Sequence, residues 1–405
     1  MRILYLTQWF EPEPNIVKGT VFVRALMAAG HEVTVVTGFP NYPTGKLYPG
    51  YRVRPIMRET IDGVSVVRLP LWPNHDTSSV RRSLNYLSFF LSAFVYCLFC
   101  RGRYDLAYVY HPPITVGLAA ALAKCIRGLP FVLDVQDLWP DTIAATGMPG
   151  AHQLVGPLGV VCAFVYRCAS SIVVQSEGFG RALATRGVPE EKLTTILNWA
   201  DDGFGPGASR ETACDGAARP FTVVYGGNLG RAQALETVVD AAAILGRERD
   251  DVRIVLYGDG VDEMVLRTRA ARSTKTALRF ESRVSKTEIV RIFACADALL
   301  LHLRDDPLFA ITIPSKVQAY LAMGQPIVAA VAGEAARLLQ DSGAAVVVPP
   351  GDAPALASAI GGLAAMPPER RHAMGGAGRQ FYEQRMSFDA GMARTIELLD
   401  GIYQA

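Results

Sequence analysis

PSKVQAYLAMGQPIVA, at residues 314–329, encodes a helix start, a helix stop and a buried strand. Ser315 is followed three residues later by Gln318, a capping-box spacing that predicts Ser315 as the N-cap. Gly324 is predicted to end the helix, and a proline two residues later prevents it from continuing. The apolar residues from 327 to 331 then predict a short strand, so the stretch is one helix–strand repeat of an α/β sheet.

Lys316 falls in the first turn of this helix. A cation is disfavoured at the positive end of a helix dipole, so a lysine held there indicates a negatively charged ligand that offsets the repulsion. The alternative is a surface lysine on an ordinary helix, and this segment alone leaves both interpretations open.

Strands and helices alternate through both halves of the chain. The predicted strands lie at 3–6, 32–37, 64–68, 106–110, 131–135 and 171–175, and again at 222–225, 253–257, 278–281, 298–303, 327–331 and 345–348. Apolar strands separated by helices predict parallel sheets covered on both faces, in an α/β fold with two doubly wound domains. Ligands bind at the carboxyl ends of such strands, so we expect a site in a cleft between two facing domains.

The domain boundaries are predicted from a change in composition. The segment from 201 to 220 is rich in Gly, Asp and Ala and has no periodicity, which is typical of a linker. We therefore expect an N-terminal domain at 1–205 and a C-terminal domain at 206–385. The last helix, within 386–405, is expected to pack back on the first domain.

Composition limits the class of partner and the compartment. The chain has 405 residues, 50% of them hydrophobic, and a net charge of +2, which predicts two packed domains and no nucleic-acid partner. The N-terminus is predicted to be a strand rather than a signal peptide, so we expect a cytoplasmic protein.

The apolar stretch from Tyr86 to Cys100 is shorter than the ~20 residues of a membrane span. Arginines at 81, 82, 101 and 103 flank it, which fits a helix lying on a membrane surface as well as a buried core helix.

Glycine turns at two strand ends predict a phosphate site in the second half. Gly226 to Gln233 follow the strand at 222–225, and Gly258 follows the next strand. Backbone N–H groups of such turns bind phosphates. The spacing is not the Gly-x-Gly-x-x-Gly fingerprint, which disfavours a dehydrogenase. Together with Arg231, Arg283 and Lys316, the turns predict a diphosphate ligand, and because no Asp-x-Asp motif occurs we expect no bound metal.

The chain resembles family 4 glycosyltransferases of the GT-B fold, and is similar to the WbuB-like group that acts in O-antigen and capsule synthesis. The matching stretches include TGFPNYPTGK at 37–46, VQDLWPD at 135–141, GNLGRAQ at 227–233 and PSKVQAYLAMG at 314–324. The resemblance implies two Rossmann-like domains, with the acceptor bound by the first (1–205) and a UDP-linked sugar donor bound by the second (206–385). It further implies metal-independent transfer with retention of configuration, and no cofactor. It also implies a lipid-linked saccharide acceptor at the inner leaflet of a membrane.

The resemblance, with the patterns above, implies roles for individual residues. The donor is expected to contact Gly227, Asn228, Gly230, Arg231, Gln233, Gly258, Arg283, Asp305, Ser315, Lys316, Gln318 and Glu334. The catalytic candidates are His111, Asp137 and Glu13, and the acceptor candidates are Asn15, Tyr42 and Lys46. Tyrosines and prolines between Phe39 and Tyr51 are also suited to stacking on sugar rings.

Three positions depart from the broader family and leave other functions open. Asn228 and Gln233 replace an arginine and a lysine, and Ala319 replaces a carboxylate. A nucleotide-sugar 2-epimerase shares the same architecture but needs no acceptor. A non-catalytic, membrane-associated partner subunit would bind the donor without turnover.

Overall fold

The computed structural model describes residues 1–14, 17–75, 79–100, 104–145, 151–201, 203–205, 219–273 and 275–404. The chain forms two compact units, Met1–Leu197 with Met392–Ala405, and Asn198–Gly391. Each unit is built on a sheet covered by helices, which confirms the predicted α/β class.

The first unit contains an eight-stranded sheet in the order β3-β4-β2-β1-β5-β6-β7-β8. Only β3 is antiparallel to its neighbour among the pairings of the described strands. The elements in chain order are β1 (Arg2–Leu6), α1 (Thr20–Ala28), β2 (Glu32–Gly38), β3 (Met57–Ile61), β4 (Val64–Leu69), α2 (Ser79–Phe99), β5 (Leu106–His111), α3 (Ile114–Arg127), β6 (Phe131–Val135), α4 (Asp141–Ala145), α5 (Ala151–Cys168), β7 (Ser171–Val174), α6 (Glu177–Thr185) and β8 (Leu193–Thr195).

The second unit contains a parallel six-stranded sheet in the order β11-β10-β9-β12-β13-β14. Its elements are β9 (Phe221–Gly226), α7 (Glu236–Glu248), β10 (Val252–Tyr257), α8 (Glu263–Ala270), β11 (Leu278–Glu281), α9 (Lys286–Cys295), β12 (Ala298–His302), α10 (Pro307–Ala310), α11 (Ser315–Met323), β13 (Ile327–Ala330), α12 (Gly333–Asp341), β14 (Ala345–Val348), α13 (Ala353–Ala365), α14 (Pro368–Arg385) and α15 (Phe388–Gln404), and α15 continues into the first unit.

The units divide at different residues from the predicted domains. The first division falls after Leu197 rather than after 205, and the returning segment starts at Met392 rather than at 386. Residues just after Leu197 already pack within the second unit: the Trp199 ring meets the Phe388 ring at 5.1 Å, and the Ala200 N–H donates to the Tyr382 hydroxyl at 3.2 Å. Most of the predicted linker, at 206–218, lies outside the described residues.

Helix α2 is longer than the apolar stretch from which it was predicted. Its segment Arg81–Phe99 has a mean hydropathy of 1.2 and is only 22% buried. Within the described part of the chain, it is the one helix that length and composition alone would allow to cross a membrane. Because only about a fifth of this segment is buried, α2 is not a fully buried core helix.

A buried ion pair ties the loop after β1 to the centre of the first sheet. The Lys18 ammonium pairs with the Asp134 carboxylate of β6, and both side chains have no exposed surface. The Tyr108 hydroxyl donates to the same carboxylate at 2.6 Å, and the Gln136 amide donates to its other oxygen at 2.6 Å. Because a buried charge is costly without a partner, these bonds fix the loop and the end of β6 in place.

We expect Asp134→Asn to destabilise the first unit by about 3–5 kcal/mol, because it leaves the Lys18 ammonium buried without its counter-charge. Hydrogen–deuterium exchange of peptides covering β1, β5 and β6 measures this loss. The control is Arg2→Ala, which removes a solvent-exposed pair with Asp105 in the same unit and should change exchange little. Unchanged protection in Asp134→Asn would contradict a structural role for the buried pair.

Candidate active site

Two glycine turns pack backbone to backbone at the carboxyl edge of the second sheet. The Gly227 N–H donates to the Tyr257 carbonyl at 2.9 Å, and the Leu229 N–H donates to the Asp259 carbonyl at 2.7 Å. Gly227 and Gly258 have φ of 144° and 145°, and a Cβ on Gly258 would lie 1.9 Å from the Gly227 oxygen. Only glycine fits both positions.

Lys316 points its ammonium at the first of these turns. A Cβ built on Gly227 would lie 2.7 Å from the Lys316 Nζ, and the same nitrogen is 5.1 Å from the Tyr225 ring centroid. Burial lowers the pKa of Lys316 to about 8, and no carboxylate in the described residues offsets that effect. A half-buried ammonium beside two glycine turns is suited to binding an anion, because a nearby negative charge stabilises the charged form of the lysine that burial disfavours.

The predicted capping box at Ser315 is wrong. Pro314 is the N-cap of α11, and Ser315 is the exposed first residue of the helix and makes no capping bond. The buried Gln318 amide instead lies against the helix start, and its nitrogen can donate to the Pro314 and Ser315 carbonyls at 2.8 and 2.9 Å. The proline has an extended backbone, so it occupies the position that a capping serine would take. Ser285 does cap α9, accepting from the Glu288 N–H at 3.2 Å.

The arginines predicted for this site are exposed. Arg231 follows the first glycine turn, and its carbonyl accepts a bond from the Arg304 guanidinium. Arg283 lies 3.7 Å from Asp259 in the turn after β10. Both therefore lie at the same edge of the sheet as the glycine turns, with their side chains exposed to solvent.

Two carboxylates predicted to bind donor hydroxyls have different surroundings. Glu334 is buried in the first turn of α12 and pairs with Arg337 of the same helix. Asp305 is exposed, while its neighbour Asp306 caps α10 by accepting from the Leu308 N–H at 2.9 Å. The donor contacts predicted for Glu334 and Asp305 stay predictions.

His302 is a site neighbour that the sequence pattern did not reveal. It ends β12, and its Nδ1 lies 2.7 Å from the Gln233 carbonyl, while burial lowers its pKa. Its Nε2 and the Gln233 Oε1 are buried without a hydrogen-bond partner in the described structure. Through its contact with Gln233, His302 packs against the end of the glycine turn. The next residue, Ala234, has a φ of 44°.

The first sheet places His111 and Asp137 at the ends of adjacent strands. His111 ends β5 with no exposed surface, neither ring nitrogen has a hydrogen-bond partner in the described structure, and burial lowers its pKa to about 3. Its ring meets the Trp139 ring edge-on at 5.8 Å. Asp137 follows β6, and burial raises the pKa of its carboxyl group.

Glu13 is engaged by backbone groups. Its Oε1 accepts from the Asn41 and Tyr42 N–H groups, each at 2.8 Å, and its Oε2 accepts from the Phe10 N–H at 3.1 Å. Burial raises its pKa to about 7 despite these bonds. This geometry favours a structural role, so catalysis by Glu13 stays a prediction. Lys46 is exposed, and Asn15 lies outside the described residues.

Comparison with known proteins identifies the family. Residues 21–199 match the Glycosyl transferase 4-like domain, and residues 220–366 match Glycosyl transferases group 1. This chain is a family 4 glycosyltransferase. It is 26% identical over 316 residues to the putative colanic acid biosynthesis glycosyl transferase WcaI of Escherichia coli K12, covering 75% of this chain and 76% of that protein.

Solved structures show that the glycosyltransferase has the predicted GT-B fold. The crystal structure of Anabaena HepE in complex with UDP matches with a TM-score of 0.69 at 18% identity, covering 99% of this chain and 100% of HepE. Sucrose-phosphate synthase from Thermosynechococcus elongatus matches with a TM-score of 0.72 at 16% identity, covering 100% of this chain and 99% of that enzyme. These likenesses establish the fold.

We expect Gly227→Ala in this glycosyltransferase to lower its affinity for UDP by about tenfold or more, because the new Cβ displaces the Lys316 ammonium and strains a positive φ. Isothermal titration calorimetry measures the affinity, and thermal unfolding checks the fold. The control is Gly362→Ala in α13, where a Cβ meets nothing within 4 Å. Equal UDP affinity in both variants would contradict the proposed contact.

Proposed function

We propose that this glycosyltransferase transfers a sugar from a UDP-linked donor to a polyprenyl-diphosphate-linked saccharide in surface polysaccharide synthesis. The proposed sugar is an N-acetylated amino or deoxy-amino sugar, transferred with retention and without a metal. HepE binds UDP and UDP-glucose in its crystal structures, WcaI is named for colanic acid biosynthesis, and WaaG is involved in lipopolysaccharide biosynthesis. These relatives support the substrate classes.

The Lys316 ammonium, which no carboxylate among the described residues compensates, is the observation that carries the proposal. Breaking the bond between the sugar and the diphosphate leaves negative charge on the diphosphate, and fixed positive groups lower the energy of that state. Lys316 and the N-terminus of α11 provide such groups. The turn can add backbone N–H groups other than those of Gly227 and Leu229, which already donate to the Tyr257 and Asp259 carbonyls. Arg231 can close on the diphosphate from solvent.

The first unit provides groups suited to the acceptor side. With its pKa lowered to about 3, His111 is neutral at physiological pH and is a hydrogen-bonding group for a sugar hydroxyl rather than a strong base. Asp137, half-buried at the neighbouring strand end, is suited to orienting the attacking hydroxyl.

A transfer assay separates this function from the alternatives. The purified enzyme is incubated with UDP-N-acetylglucosamine and other UDP-sugars, with and without a bacterial lipid extract, and products are identified by mass spectrometry. We expect a lipid-linked product that needs the extract. A new UDP-sugar formed without the extract would support the 2-epimerase, and UDP-sugar binding without any product would support a non-catalytic subunit.

UDP affinity should fall as pH rises through about 8. Bound diphosphate favours the charged ammonium, so binding to neutral Lys316 requires proton uptake above its free pKa of about 8. UDP itself is fully ionised in this range because its terminal phosphate has a pKa of about 6. Calorimetric titrations between pH 7 and 9.5 measure the dependence.

Lys316→Ala should weaken UDP binding at pH 7 by about 10- to 100-fold, as expected for one charge-assisted hydrogen bond, and should remove the pH dependence near 8. The control is Lys275→Ala, which removes an exposed pair with Asp250 in the same unit. An unchanged affinity in Lys316→Ala would overturn the donor-site assignment.

The proposed lipid-linked acceptor also requires a membrane surface, and one face of the first unit fits it. Helix α3 packs against both α2 and α5, and the sequences of these three helices contain no Asp or Glu. One side of α2 exposes a stripe of large apolar side chains, Leu84, Leu87, Leu91, Val95 and Phe99. Exposed apolar groups with cations such as Arg81 and Arg127 are suited to an anionic bilayer.

We expect the double variant Leu91→Glu/Val95→Glu to lower binding to phosphatidylglycerol-containing vesicles by about tenfold or more, because carboxylates are excluded from the apolar layer and repelled by anionic lipid. Vesicle co-sedimentation measures binding, and UDP affinity checks folding. The control is Val261→Glu, which changes an exposed apolar residue of the second unit. Equal loss in both variants would contradict a specific docking face.

A further inference from the structure

Six aromatic side chains form a continuous row at the carboxyl edge of the first sheet. Neighbouring ring centroids along the row are 4.7, 5.3, 6.2, 6.5 and 5.8 Å apart. The members, in order along the row, are His75, Tyr42, Trp9, Tyr86, Trp139 and His111.

Strand order explains why these distant residues meet. The loops after β4, β2, β1 and β6 and the end of β5 each contribute one ring, and these strands are adjacent in the sheet order β4-β2-β1-β5-β6. The carboxyl ends of parallel strands share one edge, so the rings follow the edge in nearly the same order. The Tyr86 ring of α2 lies between the Trp9 and Trp139 rings and contacts both.

The row differs from the aromatic core beneath it. Tyr5, Phe22 and Tyr108 pack together with no exposed surface. Every ring of the row except His111 keeps part of its surface in solvent. Neighbouring rings meet at angles between 43° and 81°, so no ring covers the face of the next in a parallel stack.

Polar groups without partners accompany these rings. Both nitrogens of His111 and the Oε1 of Gln8, which directly precedes Trp9, are buried without a hydrogen-bond partner in the described structure. The Asp137 carboxylate lies two residues before Trp139. Buried polar groups need hydrogen bonds, and a prenyl chain or another apolar ligand could not supply them. Sugar rings combine apolar C–H faces with hydroxyl groups that donate and accept.

We propose that the row binds the saccharide part of the acceptor, with Trp9, Tyr86 and Trp139 stacking on sugar rings and Asp137 accepting from a hydroxyl. This inference rests on the proposed transfer to a saccharide and deepens it. It assigns acceptor binding to four rings that the sequence did not predict to bind a substrate: His75, Trp9, Tyr86 and Trp139. It also places Tyr42, a predicted acceptor residue, between the Trp9 and His75 rings.

Saturation-transfer difference NMR with tri-N-acetylchitotriose and maltotriose tests the proposal, with farnesyl diphosphate as a competing lipid probe. We expect at least one trisaccharide to receive saturation at its ring C–H protons. Trp9→Ala and Trp139→Ala should weaken that binding by about tenfold each, near the upper limit for one lost aromatic contact. Trp9→Phe and Trp139→Phe keep an aromatic face and should retain most of it.

The matched control is Trp72→Ala, which removes an exposed tryptophan of the same unit that is outside the row. It should leave trisaccharide binding unchanged, and all variants should bind UDP like the parent protein. If neither trisaccharide binds a protein that binds UDP, if binding survives in Trp9→Ala/Trp139→Ala, or if only farnesyl diphosphate contacts the row, the proposal is overturned. Trisaccharide binding without UDP binding would support the row and overturn the UDP-donor proposal instead.

Discussion

The ammonium of Lys316 lies against the α-carbon of Gly227, and the edge of the second sheet is arranged around this contact. A side chain at 227 would displace the Lys316 ammonium and would be strained by the positive φ of that residue. Gly258 packs closely against the same turn, and any side chain at position 258 would clash with the Gly227 carbonyl. Within the described parts of the chain the Lys316 ammonium has no carboxylate partner. Together with the two glycine turns beside it, this ammonium suits an anion with several oxygens.

The carboxyl edge of the first sheet carries different chemical groups from those of the second. The Lys18–Asp134 pair neutralises the buried charge internally. The strand ends present aromatic rings and polar side chains such as His111 and Asp137. Glu13 fixes the loop that carries Tyr42 by accepting two of its backbone N–H groups. Such a surface suits an uncharged, ring-shaped ligand, while the second unit suits a phosphate. This difference in chemistry matches the two substrates of a glycosyl transfer.

Local sequence patterns were sufficient for all strands except β3 and β8, for the glycine turns and for the position of Lys316, because each depends on a few neighbouring residues. Predictions from local patterns were wrong or missing where the structure depends on contacts between residues far apart in the sequence. The Ser315–Gln318 spacing imitates a capping box, but the backbone of Pro314 takes the cap position. Strand β3 carries charged residues and is recognised only through its pairing with β4. His302 resembles any polar residue at a strand end until the Gln233 carbonyl is placed beside it. The aromatic row joins residues from 9 to 139, and only the sheet order brings them together.

A crystal structure with UDP bound in the presence of magnesium would show directly whether Lys316 holds the diphosphate. We predict diphosphate oxygens within hydrogen-bonding distance of the Lys316 ammonium and of backbone N–H groups in the turn at Gly227, with no metal between the phosphates. A diphosphate bound away from Lys316, or held through a magnesium ion by carboxylates, would contradict it.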